Sequence, residues 1–230
     1  MILFLPGLIC DSRIFAPQLK AFPDSQAVNG YGLADNFEDM AHVALEQAPD
    51  QFDLFGHSMG ARVALEIYRL APERVRRLAL VSTGVHPVKE DEPAKRAALQ
   101  RIGREQGFPA LVDQWLPPMI AEPNRSNTKM VEELRNMCLD QGQNVFDAHV
   151  HALLNREGRE DFLPKISCPT LVMVGALDAW SSAAQHEAFA KAIPNAEFVI
   201  IPGAGHMILH EAPEAVNTAI QNWLAMPTST

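Results

Sequence analysis

The chain has 230 residues, of which 47% are hydrophobic and 20% charged, enough apolar material for a sizeable core and too much for a disordered, collagenous or low-complexity protein. Its 19 basic against 28 acidic residues leave a net charge of -9, a field that repels phosphate backbones and anionic lipid and argues against nucleic acid or a membrane surface as partner. Cys10, Cys138 and Cys168 are odd in number and far apart, which suits neither a disulfide framework nor a zinc site.

The N-terminal run Met1-Ile2-Leu3-Phe4-Leu5 carries no basic residue and stops at Pro6, unlike a secretory signal, and no window approaches the roughly 18 apolar residues of a membrane span. A cytoplasmic location is expected. Ile2–Leu5 reads as a first strand, followed by a helix over Phe15–Ala21, a strand Gln26–Val28, a helix Phe37–Gln47 and a strand Phe52–Phe55. A helix over Met59–Leu70 and a strand Leu78–Val81 come next. The alternation resumes with the strand Thr170–Val174, helix Ala183–Ala192, strand Phe198–Ile201 and helix Pro213–Leu224, where Val216, Ile220 and Trp223 recur at helical spacing. Short apolar strands alternating with amphipathic helices specify an α/β protein with a doubly wound, mainly parallel sheet of about six strands. The tail from Pro227 to Thr230 is expected to fray.

The alternation is interrupted once. Residues 85–165 read as helix after helix with no convincing strand, an all-helical insertion between the core segments 1–84 and 166–230. Its prolines, including Pro93, Pro109, Pro117, Pro118, Pro123 and Pro164, predict short helices joined by Pro-directed turns. The insertion is nearly balanced in charge, so most of the acidity belongs to the core.

The strand Phe52–Phe55 runs into Gly56-His57-Ser58-Met59-Gly60, and a helical pattern starts at once. Gly-x-Ser-x-Gly in that context is a nucleophile elbow, whose serine needs glycine neighbours so that strand and helix can approach closely. A serine hydroxyl needs a base to take its proton and a third group to orient that base. In this topology both follow the serine, acid first, on loops after later strands. Asp178 follows the strand Thr170–Val174, and His206, in Pro202-Gly203-Ala204-Gly205-His206, follows Phe198–Ile201. Two backbone N–H groups must face the developing oxyanion. Met59, next to the serine, supplies one, and Leu8, in the Leu5-Pro6-Gly7-Leu8 loop, supplies the other.

These segments, with the tail His206 to Glu211-x-Pro213-Glu214, make the chain resemble the α/β-hydrolase fold superfamily, in particular its capped serine esterase, lactonase and C–C hydrolase group. The resemblance spans nearly the whole chain. It implies a Ser58/Asp178/His206 triad, an oxyanion hole from Leu8 and Met59, and a helical cap (lid) over residues 85–165. Pro6-Gly7 stands where the family usually has His-Gly. The chain begins at what is normally the third strand, so the family's N-terminal hairpin is expected to be missing.

The expected function is hydrolysis of a small carboxylic ester or lactone through an acyl-enzyme on Ser58, as in a carboxylesterase. Thioesterase, C–C bond hydrolase and cofactor-free perhydrolase chemistry stay open on the same triad, and a non-catalytic ligand-binding module is the reading outside enzymes. No motif implies a metal, nucleotide or organic cofactor, and oligomeric state is not legible. His206-x-x-x-His210 has a superficial metal spacing, but the glycine-rich loop before it suits a triad base better. His57 is assigned to packing, His210 and Glu211 to structure, and His42, His86, His149, His151 and His186 to the surface or to satisfied helix positions. Ile9, Phe108, Trp115, Met119, Phe146, Trp180 and Met207 are candidates for an acyl pocket. Arg96, Arg101, Arg104, Arg125 and Arg135 either receive a substrate carboxylate or simply face solvent beside glutamates.

Overall fold

The computed structural model describes residues 1–228, so the last two residues of the tail expected to fray lie outside the described residues. Six strands, β1 (Ile2–Leu5), β2 (Ser25–Ala27), β3 (Phe52–His57), β4 (Val75–Val81), β5 (Thr170–Gly175) and β6 (Ala196–Ile201), form one all-parallel sheet in the order β2-β1-β3-β4-β5-β6. Helices α1 (Ala16–Ala21), α2 (Phe37–Leu45) and α3 (Met59–Leu70) connect the first four strands. Helices α4 (Glu92–Gln106), α5 (Phe108–Trp115) and α6 (Thr128–Leu154) lie between β4 and β5, with no strand among them. Helix α7 (Ala183–Ala190) joins β5 to β6, and α8 (Ile208–Glu211) and α9 (Pro213–Ala225) close the fold.

Side chains alternate along β3, and that alternation assigns the helices to faces. Phe55 meets Trp223 of α9 at 6.3 Å between ring centroids and lies edge-on to Phe4 at 5.1 Å, while Phe15, just before α1, stacks on Phe4 at 4.9 Å. Helices α1 and α9 therefore cover one face. Gly56, the next residue, points the other way: a Cβ there would lie 2.5 Å from the Gly60 carbonyl oxygen and 2.6 Å from the Ala61 nitrogen, so α3 covers the opposite face. The two-sided burial of a parallel sheet explains why β1, β3 and β5 are buried at every position.

Several boundaries differ from expectation by one to three residues. Strand β4 begins at Val75, three residues early, because Arg76 and Arg77 are neutralised within the sheet by Asp53, at 2.7 and 3.0 Å. Strand β6 begins at Ala196 with the exposed Glu197, tolerated because β6 is an edge. Strand β2 is displaced by one residue, although the Val28 N–H still donates to the Phe4 carbonyl at 3.0 Å. Helix α4 is longer than expected, because Pro93 occupies its first turn, where no N–H is needed, and so starts a helix instead of ending one; α5, begun in the same way at Pro109, is short, as expected. In α6 the break is made by Gly142, at φ 81° and ψ 167°. No helix among the described residues is long and apolar enough to cross a membrane.

Candidate active site

Strand β3 ends on Ser58, whose backbone at φ 57° and ψ -119° lies in the left-handed region that L residues rarely adopt. That backbone lifts the side chain out of the turn between β3 and α3. It persists because it is held from several sides: Ser58 N–H donates to the Val81 carbonyl at 2.8 Å, and the Ser58 carbonyl accepts from Ala61 N–H at 3.1 Å and Thr83 Oγ1 at 2.9 Å. Gly60 has no room for a side chain, since a Cβ would strike the carbonyl oxygens of Leu5 and Pro6. The start of α3 is thereby seated against the end of β1.

The structure brings Ser58, His206 and Asp178 together across 148 and 28 residues of chain. His206 Nε2 lies 2.9 Å from Ser58 Oγ, and His206 Nδ1 lies 2.9 Å from Asp178 Oδ2. Because a carboxylate only accepts, Nδ1 carries the proton and Nε2 faces the serine with its lone pair. Asp178 also accepts from Trp180 N–H at 2.8 Å, Ser181 N–H at 2.9 Å and Ser181 Oγ at 2.8 Å. Burial opposes its ionisation, but His206 and the donors from Ser181 outweigh burial and hold this carboxyl well below the usual carboxylate range. His206 and Asp178 are buried, whereas Ser58 is partly exposed and reachable.

His206 is pinned through its own peptide. Its N–H donates to the Met119 carbonyl at 2.9 Å, and its carbonyl accepts from His57 Nε2 at 2.9 Å. His57 is wholly buried, and burial pushes its imidazole down to about 3, so it is a neutral donor beneath the base. The packing role expected for His57 is therefore a specific hydrogen bond. Glu211 buttresses the same loop: Oε2 accepts from Gly205 N–H at 3.0 Å, Ala121 N–H at 2.9 Å and Asn124 Nδ2 at 2.7 Å. His210 turns away to the Arg13 carbonyl at 3.2 Å.

Leu8 and Ile9 form a tight turn closed by Cys10 N–H on the Gly7 carbonyl at 3.2 Å, and Ile9 sits at φ 47°, an outlier for a β-branched residue. A Cβ on Gly7 would come within 3.1 Å of Ser58 Cβ, so this loop lies directly against the serine. Met59 opens α3 on the other side. Tyr31, which drew no attention in the sequence, is buried and donates its hydroxyl to the Pro6 carbonyl at 3.2 Å, anchoring the loop.

Of the apolar candidates, Met119, Met207 and Ile9 are buried beside the triad through the backbone contacts above. Trp115 and Phe146 lie in the buried apolar body of the molecule and Phe108 packs against it, while Trp180 is half-exposed beside Asp178. The arginines between β4 and β5 are largely committed elsewhere: Arg96 to Glu92 at 2.6 Å, Arg104 to Asp147 at 3.0 Å, Arg135 to Asp113 at 2.6 Å, and Arg125 to the Ile120 carbonyl at 3.0 Å. Two surface hollows of about 480 and 400 Å³, lined by Pro169 and Ala196 and by Ile2 and Asp53, open at the amino ends of the strands, away from this chemistry. In open parallel sheets reactive groups gather at the carboxyl edge, as here.

The chain is 28% identical over 243 residues to an (E)-2-((N-methylformamido)methylene)succinate hydrolase from Acinetobacter baylyi, covering 97% of this chain and 89% of that one. It is 28% identical to a pimeloyl-[acyl-carrier protein] methyl ester esterase from Yersinia enterocolitica, over 83% of this chain and 78% of that protein. The solved structure of a thermophilic esterase from Thermogutta terrifontis, with malate bound, superposes with a TM-score of 0.85 at 29% identity, over 97% of this chain and 88% of that one. A model of the alpha/beta hydrolase family matches residues 2–219. With its six parallel strands and this match over almost its whole length, the chain belongs to the alpha/beta hydrolase family.

Proposed function

We propose that the protein is a serine hydrolase of the carboxylesterase type, cleaving a small carboxylic ester or lactone through an acyl-enzyme on Ser58. The observation that carries this reading is the unbroken hydrogen-bonded chain from a partly exposed Ser58 Oγ through His206 to a buried, ionised Asp178. The esterases among its relatives point to the same chemistry.

Ser58 Oγ attacks the acyl carbonyl as His206 Nε2 takes its proton, and the imidazolium is stabilised by Asp178 through Nδ1. The oxyanion faces the N–H groups of Leu8 and Met59, the latter at the N-terminus of α3, where the helix dipole favours negative charge. His206 then protonates the leaving alkoxide, and after its departure activates a water that attacks the acyl carbon and frees Ser58. Residues 85–165 act as a cap over this edge: the Met119 carbonyl holds His206, and the Ala121 N–H and Asn124 side chain hold Glu211. Three buried free cysteines accord with a reducing compartment, and we place the protein in the cytoplasm.

The test is turnover of a short-chain p-nitrophenyl ester by wild type and Ser58→Ala. We expect the substitution to lower kcat by about 10³-fold or more, leaving at most the residual catalysis of binding and oxyanion donors. Equal rates would overturn the proposal.

A further inference from the structure

Of the two positions expected for His186, surface or satisfied helix, the structure gives the second: it is wholly buried one turn into α7. Its ring joins two loops of the carboxyl edge. Nδ1 lies 3.0 Å from the Ser182 carbonyl, and Nε2 lies 2.9 Å from the backbone nitrogen of Thr83. A carbonyl only accepts and a peptide N–H only donates, so both partners require the same neutral tautomer, with the proton on Nδ1 and the lone pair on Nε2. Burial, which pushes this imidazole down to about 4, keeps it in that form at neutral pH.

Both partners lead to the triad. Thr83 Oγ1 donates to the carbonyl of Ser58 at 2.9 Å. Ser182 follows Ser181, whose N–H and hydroxyl hold the Asp178 carboxylate at 2.9 and 2.8 Å. The contacts therefore close a ring that runs from Ser58 through His206, Asp178, Ser181–Ser182, His186 and Thr83 back to Ser58. We propose that His186 is a positioning residue that, through Thr83, holds the loop of Asp178 in register with the elbow of Ser58. The inference rests on the acyl-enzyme reading given above.

The backbone explains why such a tie is needed. Ser58 at φ 57° and Ser82 at φ 47° put two strained residues on adjacent loops, and strain of this kind persists only where the surroundings over-determine it. The side chain of Ser82 does not secure this loop, because its buried hydroxyl has no hydrogen-bond partner among the described residues. Beyond the Ser82 N–H, which donates to the Met173 carbonyl at 2.9 Å, the loop is held by the two bonds of Thr83. Without His186, the sheet would still hold the two loops through the Ser58 N–H on the Val81 carbonyl and the Ser82 N–H on the Met173 carbonyl, but His206 would be the one side chain bridging nucleophile and acid.

The experiment measures kcat and KM for a short-chain p-nitrophenyl ester, and the rate of covalent labelling of Ser58 by a fluorophosphonate. The variants are His186→Leu, His186→Gln, His186→Asn, Thr83→Val and the double variant Thr83→Val/His186→Leu, with Ser58→Ala alongside. We expect His186→Leu and Thr83→Val each to lower kcat and the labelling rate by about tenfold, with KM changed by less than about twofold. The double variant should be no worse than about the poorer single one, because both act through one chain of bonds. His186→Gln, whose amide oxygen reaches the Nε2 position, should restore most of the rate, and His186→Asn should not. Should His186→Leu fail to fold, the Gln/Asn contrast and the near-isosteric Thr83→Val decide the question. Wild-type rates in Thr83→Val, multiplicative losses in the double variant, or equal losses in Gln and Asn would overturn the inference while leaving the acyl-enzyme reading intact. Turnover that survives Ser58→Ala would overturn both.

Discussion

Ser58, Ile9 and Ser82 are the non-glycine residues with left-handed backbone among the described residues, and all three lie in loops at the carboxyl edge where the triad assembles. The turn at Ser58 depends on close packing around Gly56 and Gly60, a local relation, which is why the elbow was legible from five consecutive residues. Asp178 and His206 were legible because each follows a strand that could be read. Thr83 and His186 were not: they meet across 103 residues, and neither has a local pattern that announces it. Asp178 itself offers a sharp test. Both of its oxygens accept, from Trp180, Ser181 and His206, so an amide nitrogen would face a donor in either orientation. Asp178→Asn should lower kcat by about 10³-fold or more through the wrong His206 tautomer, and should also lower the melting temperature. A loss of less than tenfold would contradict the orienting role.

At the scale of elements, the two ends of the segment between β4 and β5 are tied to each other and to α3. The Arg159 N–H donates to the Val85 carbonyl at 2.8 Å, and Arg156 donates to the carbonyls of His86 and Pro87, both at 3.3 Å. Arg62 of α3 reaches the His86 carbonyl at 2.5 Å, and Arg159 pairs with Glu66 of α3 at 2.8 Å. Glu92, at the start of α4, is the hub, receiving Arg96 at 2.6 Å and Arg156 at 2.5 Å; burial opposes its charge, but the two guanidiniums bring its carboxyl down to about 2. The i,i+4 pair of Arg96 with Glu92 was legible as an arginine beside a glutamate on a helix face, whereas the partners of Arg62, Arg156 and Arg159, distant in sequence, were not. Removing the partly buried Glu92 carboxylate strands the largely buried guanidiniums of Arg96 and Arg156. Glu92→Gln should therefore cost about 2 kcal/mol in urea unfolding at pH 7, less than a fully buried pair. Asp91→Asn, one residue earlier, breaks only the exposed pair with Lys95 and should change nothing measurable. Equal effects of the two substitutions would contradict a load on the Glu92 hub.

For the whole molecule, the arrangement of strands was legible because apolar runs and helical periods alternate in sequence, whereas the burial of its histidines was not, because imidazole suits core and surface alike. Burial pushes His57 down to about 3 and His149 and His186 down to about 4, and it lowers His210 as well. In the unfolded chain these groups titrate near 6.5. Between that pH and their folded values the unfolded state binds more protons, so stability rises with pH and is lost as pH falls from about 6.5 toward 4. Each buried imidazole contributes up to about 1.4 kcal/mol per pH unit in that window. The depressed carboxyls of Asp178 and Glu92 add their losses only below about pH 4.5, where their unfolded counterparts begin to protonate. The protein should therefore weaken well before ordinary acid unfolding, as read from urea midpoints at pH 7.5, 6 and 5. His149 identifies the cause, because among the described residues neither of its ring nitrogens makes a well-formed hydrogen bond, so leucine in its place removes a titrating group from the interior and breaks no well-formed bond. His149→Leu should reduce the slope by up to about 1.4 kcal/mol per pH unit and make the variant more stable than wild type at pH 5. A flat stability between pH 7.5 and 5, or an unchanged slope in the variant, would show that the buried imidazoles do not control it.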